Sequence, residues 1–305
     1  EDPVQRGKWP LIIAFLAPTL ILYGVFMVIP YFASILISFT TWSGFSTNFQ
    51  FIGLYNYITL FHDPTWWQSL LHNLIYIIMI PIVTLGLALF FASLVTRGRA
   101  STIAPKVYGA QLYRILYFLP FIMPATVVGI LWQYVYEPND GLLGGFLGLF
   151  SKHAASFPWL GDAHTALLAI GVVGIWQSIG FYMVLFIAGI QGIPSDMYEA
   201  AAIDGAKGGN MFLRITIPLL WNQIQVAIVY VGIFAMDMFV LVSVITNSQA
   251  GPSYASSVMT FYLWQSAFVF NKFGYASAMG TIVFLLSLAL AIVTFRITRR
   301  DVIQY

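Results

Sequence analysis

Groups able to do chemistry are sparse in this chain of 305 residues. It has no cysteine, which excludes disulfides, thiolate metal sites and thiol nucleophiles. Its four histidines, His62, His72, His153 and His164, lack metal-ligand spacing, and no H-E-x-x-H pair occurs. They read as residues of the membrane interface. No G-x-x-x-x-G-K followed by Ser or Thr occurs either, so the chain has no phosphate loop of its own for ATP. Of the 11 acidic residues, only Asp237 sits inside a long apolar run. An intramembrane carboxylate is unfavourable by about 2.5 to 3.5 kcal/mol on insertion scales, and faces either a bonding partner or a cavity. For Asp237 that leaves two readings, a hydrogen bond to a neighbouring helix or a place on a solute path. The other concentration of polar groups is "YEAAAIDGAKGGNMFLRITIPLL", Tyr198–Leu220, lodged between two apolar runs.

The elements that hold these groups are set by composition. The chain is 60% hydrophobic and 8% charged, with mean hydropathy +0.85. A soluble domain has about a quarter of its residues charged, so this chain must sit in lipid. The net charge of +2 is too small, and its basic residues too scattered, for nucleic acid. Runs long enough to cross a bilayer lie near residues 10–40, 69–96, 112–136, 163–191, 221–246 and 273–297. They are continuous rather than alternating, which indicates helices and not barrel strands. The expectation is an all-α polytopic membrane protein of six transmembrane helices forming one domain over 1–305. Leu11–Pro30 is too long, and too weakly followed by a small-residue cleavage site, for a removable leader.

Orientation follows from Lys and Arg. With the N-terminus cytoplasmic, Arg6, Lys8, Arg97, Arg99, Lys106, Arg114, Lys207, Arg214, Arg296, Arg299 and Arg300 all fall inside, and only Lys152 and Lys272 outside. Both termini and the Tyr198–Leu220 stretch are then cytoplasmic. Within that stretch Ser195 is the expected N-cap and Asp196 suits the positive end of a helix dipole. A short Ala-rich helix should run from Met197 to Ile203. Gly205 should end it by taking a left-handed conformation, with Gly208 and Gly209 a further soft point. The result is a bent, small-faced polar element outside the bilayer.

Glu199-Ala200-Ala201, then Gly205, Ile215, Ile217 and Pro218, resemble the "EAA" signature of permease subunits of ATP-binding-cassette importers. The signature runs E-A-A, three residues, G, nine residues, I, any residue, L, P; here Ile217 stands for Leu. "APTLILYGVFMVIPYFASILISFT", "RILYFLPFIMPATVVGILWQYVYEPNDGLL" and "FGYASAMGTIVFLLSLALAIVTFR" are similar to sugar permeases of the maltose, lactose and glycerol-3-phosphate type. The chain departs from that family at Thr246–Pro252, where T-x-G-G-P is usual. It also departs at Trp221 and Asn222, where a further Pro is usual.

The resemblance implies a type I importer permease in a bacterial or archaeal cytoplasmic membrane, with the stretch at 194–209 as its coupling helix. Glu199, Ala200, Ala201, Asp204 and Gly205 would form the coupling site, with Glu199 the charged anchor, Ala200 and Ala201 the close-packed face, and Gly205 the bend. It implies as partners a cytoplasmic ATPase dimer that binds ATP and magnesium, a second permease subunit and an extracytoplasmic solute-binding protein. No cofactor belongs to this chain. The resemblance further places a sugar about halfway across the bilayer, near Gln177, Ser178, Phe181, Phe234, Asp237 and Met238. Gln and Asp can bond sugar hydroxyls, while aromatic rings cover C–H faces. A di- or oligosaccharide is the expected solute, with a glycerol phosphate as the alternative. The lack of cationic residues inside the spans, Arg114 and Arg296 standing at their cytoplasmic ends, disfavours an anion. An ion-coupled transporter would need several intramembrane charges or inverted repeats. An intramembrane enzyme would need a clustered acid, base or metal set. The spans offer neither.

Overall fold

The computed structural model describes residues 8–45, 47, 49–96, 110–151 and 155–298. Arg6, Arg97, Arg99, Lys106, Lys152, His153, Arg299 and Arg300 lie outside the described residues. The described secondary structure is helical apart from one isolated bridge between Thr40 and Phe51. The chain divides into two compact units. One is built from Glu1–Pro64 with Leu263–Leu285, the other from Thr65–Tyr262 with Leu286–Tyr305.

In the first unit, α1 (Lys8–Tyr23), a π-helical turn (Gly24–Val28) and α2 (Ile29–Ile37) follow one another. The 26-residue apolar stretch Ile12–Ile37 that they form has none of its most apolar window buried by the chain itself. Such a surface is what a lipid-facing rod presents. α3 (Tyr55–Phe61) closes the turn after it, because the buried Asn56 donates to the carbonyls of Ser38 and Thr40 at 2.8 and 2.9 Å. The Tyr275 hydroxyl donates to Asp63 at 2.7 Å, and the Gly274 amide to the Trp42 carbonyl at 2.9 Å.

The second unit begins with α4 (Pro64–Thr96). It continues through α5 (Ala110–Ile122), α6 (Ala125–Tyr136), the short α7 (Leu142–Gly148) and α8 (Ala166–Gly192). Next come α9 (Ser195–Ile203), α10 (Gly209–Met211), a π-helical turn (Phe212–Thr216), α11 (Ile217–Leu219), α12 (Trp221–Met236) and α13 (Phe239–Ile245). α14 (Met259–Phe268) and α15 (Phe273–Thr298) each pass from one unit into the other.

Among the described residues four stretches are long and apolar enough to cross a membrane, and six if two bent pairs each count as one. The pairs are Leu112–Ile122 with Ala125–Tyr136, bent by 100°, and Gly209–Leu219 with Trp221–Met236, bent by 73°. The run at 221–246, expected as one helical span, is broken again after Met236. The loop that departs from T-x-G-G-P has Asn247, Ser248, Ala250 and Gly251 at positive φ.

α8 is the most enclosed helix of the second unit. In lipid no hydrophobic drive favours one apolar contact over another, so close packing and hydrogen bonds hold helices together. Glycine permits the packing: a Cβ at Gly180 would fall on the Tyr117 carbonyl of α5. Fully buried Ile170, Met183 and Phe186 fill the same helix. Tyr76 and Tyr136 supply the bonds, donating to the Leu167 and Ala169 carbonyls at 2.8 and 2.9 Å.

α4 contributes a polar stripe. Ser69, His72, Asn73 and Tyr76 recur at helical spacing and are all buried. The Ser69 and Ser257 hydroxyls lie 2.9 Å apart, and His72 Nδ1 is 2.8 Å from the Ser257 carbonyl. The interfacial role expected for His72 is therefore corrected: the imidazole packs inward because a backbone acceptor is waiting there.

Candidate functional site

α8 ends at Gly192, and Pro194 (φ −57°, ψ 139°) turns the chain into α9. Ser195 is not the cap that its type predicts. It is already helical, and its hydroxyl reaches the Asp196 carboxylate at 3.4 Å rather than a backbone amide. Asp196 in the first turn still complements the dipole.

Successive helical residues turn by about 100°, so α9 has two faces. Tyr198 and Ala201, three apart, are buried against the chain, while Asp196, Met197, Glu199, Ala200, Ala202 and Ile203 are exposed. This separates the two alanines that were expected to share one packing face. Ala201 belongs to the inner side, and Ala200 lies beside Glu199 on the outer. The Tyr198 and Thr216 hydroxyls sit 3.3 Å apart, tying α9 to the π-helical turn at 212–216. Burial raises the Tyr198 pKa above the usual phenol value and the Thr216 contact opposes this, so the hydroxyl stays protonated.

The end of α9 is built on Gly205. Its amide donates to Ala202 at 3.1 Å and the Ala206 amide to Ala201 at 2.9 Å, the paired closing bonds of a left-handed helix terminus. Gly205 has φ +84°, and nothing lies within 4 Å of where its Cβ would be. Glycine is needed here for conformation and not for space. Asp204 precedes it, exposed. Gly208 (φ +52°) then redirects the chain into α10. Glu199, Ala200, Asp204 and Gly205 thus lie exposed at one bent element, and Ala201 supports it from within.

The residues expected along a solute path gather around two helix interruptions. α12 stops at Met236; Asp237 (φ −110°, ψ 67°) and Met238 (φ −90°, ψ 12°) leave helical geometry, and α13 resumes at Phe239. Asp237 is exposed, Phe234 half-buried and Met238 only 1% exposed. α8 meets this break at Gly174, where an added Cβ would contact Met238 at 2.9 Å and Phe234 at 3.5 Å. One turn further along α8, the Ser178 hydroxyl is buried and donates to the Gly174 carbonyl at 2.7 Å. Gln177 is 7% exposed. Its amide nitrogen donates at 3.3 Å to the carbonyl of Met123, at the 100° bend between α5 and α6, and its buried Oε1 has no partner. Phe181 stacks on Phe121 of α5 with ring centroids 4.5 Å apart. Phe234 and Met238 therefore meet α8 at Gly174, one turn from Ser178, Asp237 is exposed beside them, and Gln177 and Phe181 are turned toward α5 and its bend.

One residue of this region escaped the reading of the sequence. Asn73 of α4 is fully buried and donates to the Met236 carbonyl at 3.0 Å and the Ala235 carbonyl at 3.5 Å. It accepts from the Met259 amide at 2.8 Å. Its spacing from Ser69, His72 and Tyr76 was the available signal.

Residues 52–302 match the family described as binding-protein-dependent transport system inner membrane component. The chain is 37% identical to the diacetylchitobiose uptake system permease protein NgcF of Streptomyces coelicolor, over 98% of this chain and 88% of that one. It is 35% identical to the probable ABC transporter permease protein YurN of Bacillus subtilis, over 92% of this chain and 94% of that one. In fold it is similar to a chain of a bacterial ABC transporter involved in the import of the acidic polysaccharide alginate. That likeness has a TM-score of 0.76 and covers 97% of this chain and 96% of that one at 19% identity. With a family match across most of its length and near-complete alignment to NgcF, this chain belongs to the binding-protein-dependent transport system inner membrane components.

Proposed function

We propose that this chain is one permease subunit of an ATP-driven importer that carries a sugar across the cytoplasmic membrane of a bacterium or archaeon. A di- or oligosaccharide is handed to it by an extracytoplasmic binding protein. The named uptake of diacetylchitobiose by a relative of high coverage supports that solute class, and so does the exposed Asp237 carboxylate beside the half-buried ring of Phe234. The chain forms a single six-span domain, with each bent pair counted as one span and both termini cytoplasmic, as the distribution of Lys and Arg favours. A second permease subunit completes the path. A separate ATPase dimer binds ATP and magnesium, and this subunit catalyses nothing.

The observation that carries the reading is the exposed outer face of α9 followed by the obligatory left-handed Gly205. An ATPase closing against Glu199, Ala200 and Asp204 displaces α9, and the Tyr198–Thr216 contact passes that movement to the start of the fifth span. Asp237, Gln177, Ser178, Phe181, Phe234 and Met238 border the solute path. Co-purification followed by reconstitution tests this. Uptake of a radiolabelled oligosaccharide should require ATP, the ATPase and the binding protein. Uptake that survives loss of the ATPase and collapses with the ion gradient would refute it.

A further inference from the structure

Nothing in the side chain of Asp237 explains why the fifth span breaks beside it. The interruption contains neither Pro nor Gly, the residues that usually stop a helix. In a membrane-embedded segment an interrupted helix leaves backbone groups that water cannot reach, and these must find partners in the protein. At this break they find one. Asn73, with no exposed surface, directs its single planar amide at the carbonyls of the break on one side and at the start of α14 on the other. Its Nδ2 donates to the Met236 and Ala235 carbonyls, and its Oδ1 accepts the Met259 amide at the start of α14.

We propose that Asn73 is a positioning residue of the solute path, one that holds the fifth span open after Met236 so that Asp237 is presented on its surface. The proposal rests on the reading of Asp237 as part of that path. The amide suits the task because it combines a donor and an acceptor in a fixed plane. A carboxylate at this position would repel the two carbonyls, and an alkyl chain would leave all three backbone groups unpaired. Ser69 and His72, bonded to Ser257, hold the segment leading to Met259 against the same face of α4, so Asn73 acts from a fixed platform.

The chain has no native cysteine, which gives a direct test. With Asp237→Cys as the only thiol, the rate of reaction with a small water-soluble maleimide reads how far position 237 is presented. Added Asn73→Leu should lower that rate about tenfold or more, and Asn73→Asp should give an intermediate value. Thr84→Val removes a buried, unpartnered hydroxyl from the same helix and should leave the rate unchanged. In the chain with Asp237 intact, Asn73→Leu should raise the KM for uptake more than it lowers the maximal rate. If Asn73→Leu does not co-purify with the ATPase, Asn73→Asp is read by the same two measures. An unaltered labelling rate in the assembled variant overturns the proposal, even if uptake falls. A lowered labelling rate combined with normal uptake by Asp237→Ala leaves the hold on the break standing and refutes instead the place of Asp237 on the path.

Discussion

Replacing Gly205 separates conformation from packing as the reason for glycine at the end of α9. The residue stands at φ +84° with no atom within 4 Å of a Cβ position. A side chain there meets no steric obstacle, so the whole effect of substitution comes from the backbone. An L-residue other than Asn or Asp loses about 1 to 2 kcal/mol in the left-handed region, and a β-branched one up to about 3 kcal/mol. At about 1.4 kcal/mol per tenfold change, Gly205→Ala should depopulate the bent form roughly 5- to 30-fold, and Gly205→Val by more. Asn tolerates the conformation, so Gly205→Asn should be the mildest. The assay is sugar accumulated per ATP hydrolysed in proteoliposomes containing the whole transporter, with insertion monitored separately. The ratio should fall in the order Gly, Asn, Ala, Val, with insertion unaffected. Normal coupling in Gly205→Val, or better coupling in Gly205→Ala than in Gly205→Asn, would refute the reasoning.

Other perturbations probe other contacts. Tyr198→Phe removes the bond to Thr216 and should weaken the tie between α9 and the fifth span by about 1 kcal/mol, seen as ATP hydrolysis that outruns uptake; unchanged stoichiometry would contradict it. Asp237→Ala should raise the KM for uptake about tenfold, as expected for losing a hydrogen bond from a charged group of about 1.5 kcal/mol or more, with normal recovery of the complex because the residue is exposed. Gly180→Ala sets a Cβ on the Tyr117 carbonyl and should destabilise the detergent-solubilised protein by about 1 to 3 kcal/mol, measured as a lower unfolding temperature than that of Gly86→Ala, where space is open.

The helices were legible because continuous apolar runs of bilayer length have few alternatives in lipid. The bend at Gly205 was legible because glycine adopts that conformation without the strain that most L-residues meet. Direction within a run was not. Pro18, Pro81 and Pro120 lie inside intact helices while Pro124 stands at a 100° bend, so proline marks a permitted kink and packing decides which is used. The break after Met236 carries no local mark, since its determinant, Asn73, lies 163 residues away in sequence. The capping expected at Ser195 failed because Pro194 already sets the turn. The division of Ala200 from Ala201 became visible only once Tyr198 fixed which face of α9 points inward.

In the proposed mechanism a cytoplasmic motor grips the outer face of α9. That grip is tested most directly by placing a photo-crosslinker on Glu199→Cys, in this chain without native cysteine, within membranes that contain the complete transporter. The expected result is an adduct with the ATP-hydrolysing subunit and protection of the thiol from an impermeant reagent added to intact cells. Labelling of that thiol from outside the cell, or no adduct with a nucleotide-hydrolysing protein, would contradict it.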